Sequence, residues 1–171
     1  MSQMEINSMI ICRRATKSDL KAMLEILNYE IIHSTSVYHY EEKDLDYFTD
    51  WFDSKIERNY PVFVAELNGN VVGYSTYDRY RPFDGFNRSV EHSIYVHHDF
   101  RNHKIGHFLM EELIKQAHLD GLKAMIGGID KENLKSVTFH LKYGFKIVGE
   151  LPDIGFKFDK YLTLIFMQKT F

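Results

Sequence analysis

Residues Pro61 to Glu66 and Val71 to Tyr77 are two runs of β-branched and aromatic side chains joined by Leu67-Asn68-Gly69-Asn70. Asn-Gly between two such runs is the strongest short-range signal for a β-hairpin. A hairpin in mid-chain commits the fold to a sheet, and the flanking segments must be placed around it. Hydrophobic residues make up 44% of the 171 positions and aromatic residues 15%, enough to fill a core under such a sheet. Ten glycines and three prolines are too few for a collagen-like or low-complexity chain.

On the N-terminal side, the run from Met9 to Cys12 reads as a strand. Thr16-Lys17-Ser18-Asp19 is a capping-box pattern that opens a helix. Leu20, Met23, Leu24, Leu27 and Ile31 then recur at helical spacing. A second helix carries Leu45, Phe48, Phe52 and Ile56, with Trp51 beside them, and the Ser34–Glu42 loop between the helices is of a kind that lines pockets. On the C-terminal side Val90–Val96 reads as a strand, and Asp99–Lys104 as a polar turn. Ile105, Leu109, Leu113 and Ala117 form one helical face. Leu122–Ile129 reads as a strand and Asn133–Tyr143 as a helix stopped by Gly144. Phe145–Leu151 and Tyr161–Met167 close the pattern as strands. The expected class is α/β (α+β): a single domain with a mixed, mostly antiparallel sheet flanked by helices. Residues 1–8 read as a flexible extension and 9–171 as the domain.

Several classes are disfavoured. Cys12 is the only cysteine, so no disulfide forms within the chain. The polar start MSQMEINS is unlike a secretory signal. No apolar run approaches bilayer length. A net charge of −3 lacks the basicity of a nucleic-acid binder. These features point to a cytoplasmic protein without nucleic-acid or membrane partners. His103 and His107 stand at i, i+4 near His97-His98, but no His-Glu-x-x-His signature or cysteine cluster accompanies them, so no metal is expected. Cys12 reads as a packed thiol, not a nucleophile.

Two segments are candidates for chemistry. From Glu91 to Gly106 a strand runs through a polar turn into a helix, which aims free amides and a positive dipole end at one point, where phosphate oxygens fit. Arg101, Lys104 and His103 add charge there. In the helix after Asn133, the positions Asn133, Ser136 and His140 share one face, beside an apolar stripe of Leu134, Val137 and Leu141. Facing a cleft, that polar line supplies an amide, a hydroxyl and a titratable imidazole.

Taken in order, Ile11-Arg13-Arg14-Ala15-Thr16, Ser34-Thr35, Val64-Ala65-Glu66 with Gly69 and Gly73, Val90-Glu91 with Ile94-Tyr95-Val96, Arg101 with Gly106, Asn133, His140 with Gly144-Phe145, and Gly155-Phe156-Lys157 resemble the GNAT superfamily of N-acetyltransferases. The chain looks most like the phosphinothricin (bialaphos-resistance) acetyltransferase branch.

The resemblance implies acetyl-CoA as co-substrate. Ile94, Tyr95 and Val96 would bind its pantetheine arm like an added strand. The turn and helix start at Arg101, Asn102, His103, Lys104, Ile105, Gly106 and His107 would wrap the diphosphate, and Asn133 and Ser136 complete the cofactor set. Lys104 stands where the family usually has glycine. Glu91 is implied as general base, and His140 as its partner or as the acid for the leaving thiolate. Thr35, Tyr38, Arg81, Phe86 and Arg88 would line the acceptor pocket. The implied acceptor is the amine of a small amino acid or analogue, such as phosphinothricin or methionine sulfoximine or sulfone, and the implied assembly a homodimer. Two other readings stay open: a non-catalytic acyl-CoA-binding regulatory module, and an acetyltransferase acting on a peptide or protein amine.

Overall fold

The computed structural model describes residues 10–171. The extension expected over residues 1–8, and Met9 at the expected domain start, lie outside the described residues. Chain order is β1 (Ile10–Arg14), α1 (Leu20–His33), α2 (Leu45–Glu57), β2 (Val62–Leu67), β3 (Asn70–Arg79), β4 (Ser89–Val96), α3 (Ile105–Leu119), β5 (Ala124–Asp130), α4 (Leu134–Lys142), β6 (Lys146–Lys157) and β7 (Lys160–Thr170). The strands are ordered β1-β2-β3-β4-β5-β7-β6 in one seven-stranded sheet. Within it β4 and β5 run parallel, while β1–β2, β2–β3, β5–β7 and β6–β7 are antiparallel. This is the mixed, mostly antiparallel sheet with helices that the alternating periodicities lead one to expect.

The chain divides into two compact units. One holds the described residues up to Tyr29, Lys43–Asp78 and Ser93–Asp120; the other holds Glu30–Glu42, Arg79–His92 and Gly121–Phe171.

The first unit contains the hairpin. Asn68 and Gly69 adopt φ of 53° and 80°, the left-handed pair that a tight turn between twisted strands requires. Its core joins α1, α2, β2 and β3 through Met23, Phe48, Val64 and Tyr74, all at most 1% exposed. Burying one such side chain contributes about 1.5–3 kcal/mol. At the start of α1, Asp19 accepts the Thr16 N–H at 2.8 Å, and the Arg13 guanidinium grips both of its oxygens at 2.8 Å. The second helix departs from the expected stripe. Phe48 and Phe52 are buried, but Leu45 and Ile56 lie open and Lys55 is buried in their place. The Lys55 ammonium reaches Asp78 at 2.9 Å and the Tyr77 carbonyl at 3.1 Å, which compensates its removal from water. In α3 the expected face of Ile105, Leu109, Leu113 and Ala117 is buried throughout. A Cβ at Gly73 would lie 2.9 Å from the Tyr95 carbonyl oxygen and 3.0 Å from Ile105 Cγ2. Glycine there lets the helix after the polar turn sit close on the sheet.

In the second unit, β4 pairs with β5 over Ser89↔Ala124 to Glu91↔Ile126. Strand β6 runs six residues past the expected end at Leu151. Its register steps from Leu151↔Leu164 to Gly155↔Leu162 across a bulge, where Pro152 has no N–H and Asp153 takes φ 54°. Pro152 and Asp153 therefore mark a bend within the strand, not its end. Helix α4 is turned the opposite way from the expected apolar stripe. Leu134 and Leu141 are 70% and 52% exposed, whereas His140 is buried at 6%. The His140 ring packs edge-on against Phe145 at 5.1 Å, and that packing together with its hydrogen bonds sets which face turns inward.

Candidate active site

The second unit holds two groups that could move protons, and consecutive glycines on β5 seat them. A Cβ on Gly128 would lie 3.0 Å from Glu91 Oε1; a Cβ on Gly127 would lie 3.1 Å from His92 Nε2 and 3.3 Å from His140 Nε2. Successive strand residues point to opposite faces. Glu91 therefore stands on one face of the sheet, and His92 with His140 on the other. The two candidate proton carriers are brought to neighbouring positions of β5 but not to each other.

Glu91 is exposed as a residue, but partial desolvation of its carboxyl raises it above its usual value, and the positive charge of Arg81 partly offsets this. The arginine whose charge reaches Glu91 is thus Arg81. Its guanidinium lies over the Tyr80 ring, 4.9 Å from the centroid, and Phe86 packs edge-on to the same ring at 5.9 Å. Arg88 is exposed, and its carbonyl accepts the Lys123 N–H at 2.9 Å, which joins the β3–β4 loop to the start of β5.

On the opposite face, His140 Nδ1 lies 2.7 Å from the Ser136 carbonyl, which can only accept, so Nδ1 carries the proton. His140 Nε2 is then an acceptor and takes the Nε2–H of His92 at 3.1 Å. That leaves His92 Nδ1 as a bare lone pair, buried without a hydrogen-bond partner. Burial, and then its neighbour His140, push the His92 imidazole down to about 3; burial also lowers His140, opposed by its bond to the Ser136 carbonyl. Both rings are neutral near pH 7, and both nitrogens of His140 are engaged. Asn133, the N-cap of α4, accepts the Ser136 N–H at 3.1 Å, so Asn133, Ser136 and His140 form one bonded line along the inner face. His92 is the residue sequence reasoning missed. It neighbours Glu91, but nothing local to it reveals that it meets a helix 48 positions away.

The expected acceptor residues Thr35 and Tyr38 also belong to the second unit. Thr35 donates a short hydrogen bond to the buried carboxylate of Asp130. Tyr38 packs its ring over Gly155, where a Cβ would come within 2.5 Å of it. Its hydroxyl is buried without a partner, and burial followed by the Asp130 charge raises its pKa.

The first unit holds the polar turn. Asn102 and Lys104 take φ of 68° and 62°. Left-handed residues within a turn swing successive amides toward one concavity, and such nests bind anions. Helix α3 starts directly after, with Lys104 as its N-cap and Ile105 buried at 1%, so its free N–H groups add to the turn. The donor set suits a diphosphate. Ile94, Tyr95 and Val96 end β4 in the same unit, and Arg101 lies 5.9 Å over the Tyr29 ring. His103 Nδ1 is buried without a partner, while His107 lies in the first turn of α3. Among the described residues, His97, His98 and Asp99 could place one ligand atom each within 4.8 Å of one another. The imidazoles are stacked at 4.4 Å with 19° between planes, which sets their in-plane lone pairs side by side, not converging on one ion. Burial raises the Cys12 thiol to about 11, aided by Glu112 and Glu111, so it is no nucleophile near neutrality.

A seven-stranded, mostly antiparallel sheet and a nest-like turn at the start of a helix are parts that an acyl-transfer scaffold requires. The profile of the acetyltransferase (GNAT) family matches residues 26–145, and the chain belongs to that family. It is an acetyltransferase. It is 37% identical over 156 residues to the L-amino acid N-acyltransferase MnaT of Escherichia coli (strain K12), covering 91% of each chain. It is 36% identical, with the same coverage, to an L-methionine sulfoximine/L-methionine sulfone acetyltransferase of Salmonella typhimurium. A phosphinothricin N-acetyltransferase of Streptomyces viridochromogenes is more distant, 28% identical over 93% of this chain and 86% of its own. Among solved structures, yncA from Salmonella typhimurium with its cofactor acetyl-CoA superposes with a TM-score of 0.92 at 35% identity, over 95% of this chain and 94% of that one. A ribosomal-protein-alanine N-acetyltransferase from Brucella melitensis superposes with a TM-score of 0.93 at 37% identity, over 94% and 98%.

Proposed function

We propose that this chain transfers the acetyl group of acetyl-CoA to the α-amine of a small amino acid or close analogue, of the methionine sulfoximine, methionine sulfone or phosphinothricin type. The observation that carries the reading is the Glu91 carboxylate, seated over Gly128 on an accessible face of the sheet and within reach of the Arg81 charge. An α-amino acid offers a carboxylate for a guanidinium and an ammonium that must lose a proton before it can attack. Arg81 takes the first, with Arg88 at the rim, and Glu91 takes the proton. Phe86 and Tyr38 bound the side-chain pocket with Thr35. The amine nitrogen then bonds to the thioester carbonyl carbon, the carbon–sulfur bond breaks, and the departing thiolate takes up the second proton that the nitrogen sheds, leaving amide and free thiol.

The turn of Arg101, Asn102, His103, Lys104, Ile105, Gly106 and His107 holds the diphosphate, and Ile94, Tyr95 and Val96 run beside the pantetheine arm. Asn133 and Ser136 serve the cofactor side with His140, whose ring burial keeps neutral. The assembly is a homodimer: Ile147, Val148, Ile154 and Phe156 on β6, last in the strand order, are all 45% or more exposed, an apolar edge that a second copy covers. The lone thiol fits a cytoplasmic setting, and the net charge of −3 fits a chain without a nucleic-acid partner. Among the described residues no helix is long and apolar enough to cross a membrane.

The test is thiol release from acetyl-CoA across a panel of L-amino acids and sulfoximine, sulfone and phosphinothricin analogues. Turnover with at least one, abolished in Glu91→Gln while acetyl-CoA still binds, supports the reading. Cofactor binding without turnover on any member supports the regulatory module instead. The likeness to the Brucella structure favours a second acceptor, a peptide N-terminal amine, and an Ala-initiated peptide in the same panel tests it.

A further inference from the structure

Lys157 is a buried ammonium for which the reaction above has no use. It is 3% exposed, at the last position of β6, and Nζ donates to three backbone carbonyls: Ile31 at 2.6 Å, Ser34 at 2.7 Å and Val37 at 2.6 Å. An ammonium has three protons, and each has one acceptor. The Ile31 carbonyl belongs to the last turn of α1, where carbonyls lack helical partners and the dipole favours a cation. The Ser34 and Val37 carbonyls belong to the loop that carries Thr35 and leads to Tyr38. One side chain thus ties the end of α1 to two points of the loop's main chain.

Two neighbouring contacts act on the same loop. The Tyr40 hydroxyl donates to the Phe156 carbonyl at 2.8 Å, and Gly155 leaves the space that the Tyr38 ring fills. Gly155, Phe156 and Lys157 are thus three consecutive positions that each seat the acceptor loop: by vacancy, by a carbonyl and by a cation. Burial lowers the Lys157 pKa, while the Glu30 carboxylate raises it.

We propose that Lys157 is a positioning residue for the acceptor. By threading its three N–H donors onto the Ile31, Ser34 and Val37 carbonyls, it holds the loop so that Thr35 meets Asp130 and the Tyr38 ring stays seated over Gly155. This rests on the amino-acid acetyltransferase reading for its kinetic consequence, but not for its structural one. With the clasp gone, the loop pays an ordering cost each time an acceptor binds, so affinity for acceptor falls while affinity for acetyl-CoA does not.

The experiment compares wild type with Lys157→Met, Lys157→Arg, and Lys157→Cys alkylated to the thialysine with 2-bromoethylamine in a Cys12→Ser background. KM for acceptor is expected to rise tenfold or more in Lys157→Met, with KM for acetyl-CoA within twofold of wild type. Amide hydrogen exchange over residues 34–38 is expected to accelerate at least tenfold with little change in β5 and β7. Lys157→Arg, whose planar fork cannot reach three diverging acceptors, is expected to fall between, and the thialysine to restore both readouts. Unchanged acceptor KM and unchanged loop exchange in folded Lys157→Met overturn the proposal. If Lys157→Met does not fold, the same unchanged values in Lys157→Arg overturn it. Should the wild type acetylate no amino acid, the functional reading fails, and the exchange measurement still decides the clasp.

Discussion

The Nε2–H of His92 donates to Nε2 of His140 across 3.1 Å, and burial keeps both rings neutral, with the neighbouring His140 lowering His92 further. The pair sits on the face of the sheet opposite Glu91, which separates the group that takes the amine's proton from the groups beneath α4. This arrangement makes stability depend on pH in a calculable direction.

Unfolded imidazoles bind a proton below pH 6.5, but folded His92 resists until about 3 and folded His140 shifts the same way. The unfolded state therefore holds more protons through that window, and stability falls as pH drops below 6.5, by up to about 1.4 kcal/mol per pH unit for each ring. Guanidinium unfolding at pH 7, 6 and 5 measures the slope. His92→Phe is expected to flatten it, and an unchanged slope would show that the pair is not the titrating element.

Glu91 acts only when ionised, so acceptor turnover is expected to decline as pH falls through a value above 4.5. Glu91→Gln is expected to lower kcat by roughly 10²–10⁴-fold and to remove this acid limb. Arg81→Gln takes away the charge that favours the carboxylate, so the limb moves to higher pH while acceptor KM rises. Profiles of kcat/KM from pH 4 to 9 check both; a limb that stays in Glu91→Gln belongs to another group.

Gly127→Ala and Gly128→Ala place one methyl on opposite faces of β5 and are expected to have different effects. The methyl on Gly127 meets two locked rings, so unfolding free energy is expected to drop by about 1–3 kcal/mol, as over-packing does. The methyl on Gly128 meets the end of the Glu91 side chain, which can move. Stability is then nearly kept, and the acid limb and kcat change instead. Thermal melts and pH profiles of the two variants distinguish these outcomes.

Lys104 pays a steric cost for φ 62° that glycine does not. Lys104→Gly is expected to stabilise the fold by about 1 kcal/mol. It also deletes a charge at the anion-binding turn, so the KM for acetyl-CoA is expected to rise and to depend less on salt. Denaturant unfolding and KM at two ionic strengths measure both effects.

Much of the architecture is local and was readable along the chain. The Asn68-Gly69 turn, the Thr16–Asp19 helix start, the α3 face from Ile105 to Ala117 and the Gly144 stop, at φ 81°, each depend on residues within a few positions. Their geometry follows from φ/ψ preferences and the 3.6- and 2-residue periods. The candidate set from Glu91 to His140 was named in sequence as well, since a family pattern preserves residue types in order. What the chain order could not supply was set by pairings between distant segments. Lys55 and His140 turned inward where an apolar stripe was expected, because partners from β3 and β4 satisfied their polar atoms. The register of β4 on β5 put Glu91 and His92 on opposite faces, and the bulge at Pro152 carried β6 on to Lys157, under a loop 120 positions earlier. Such choices follow from the cost of burying an unpaired polar group, and that cost is known only once the chain has closed around it.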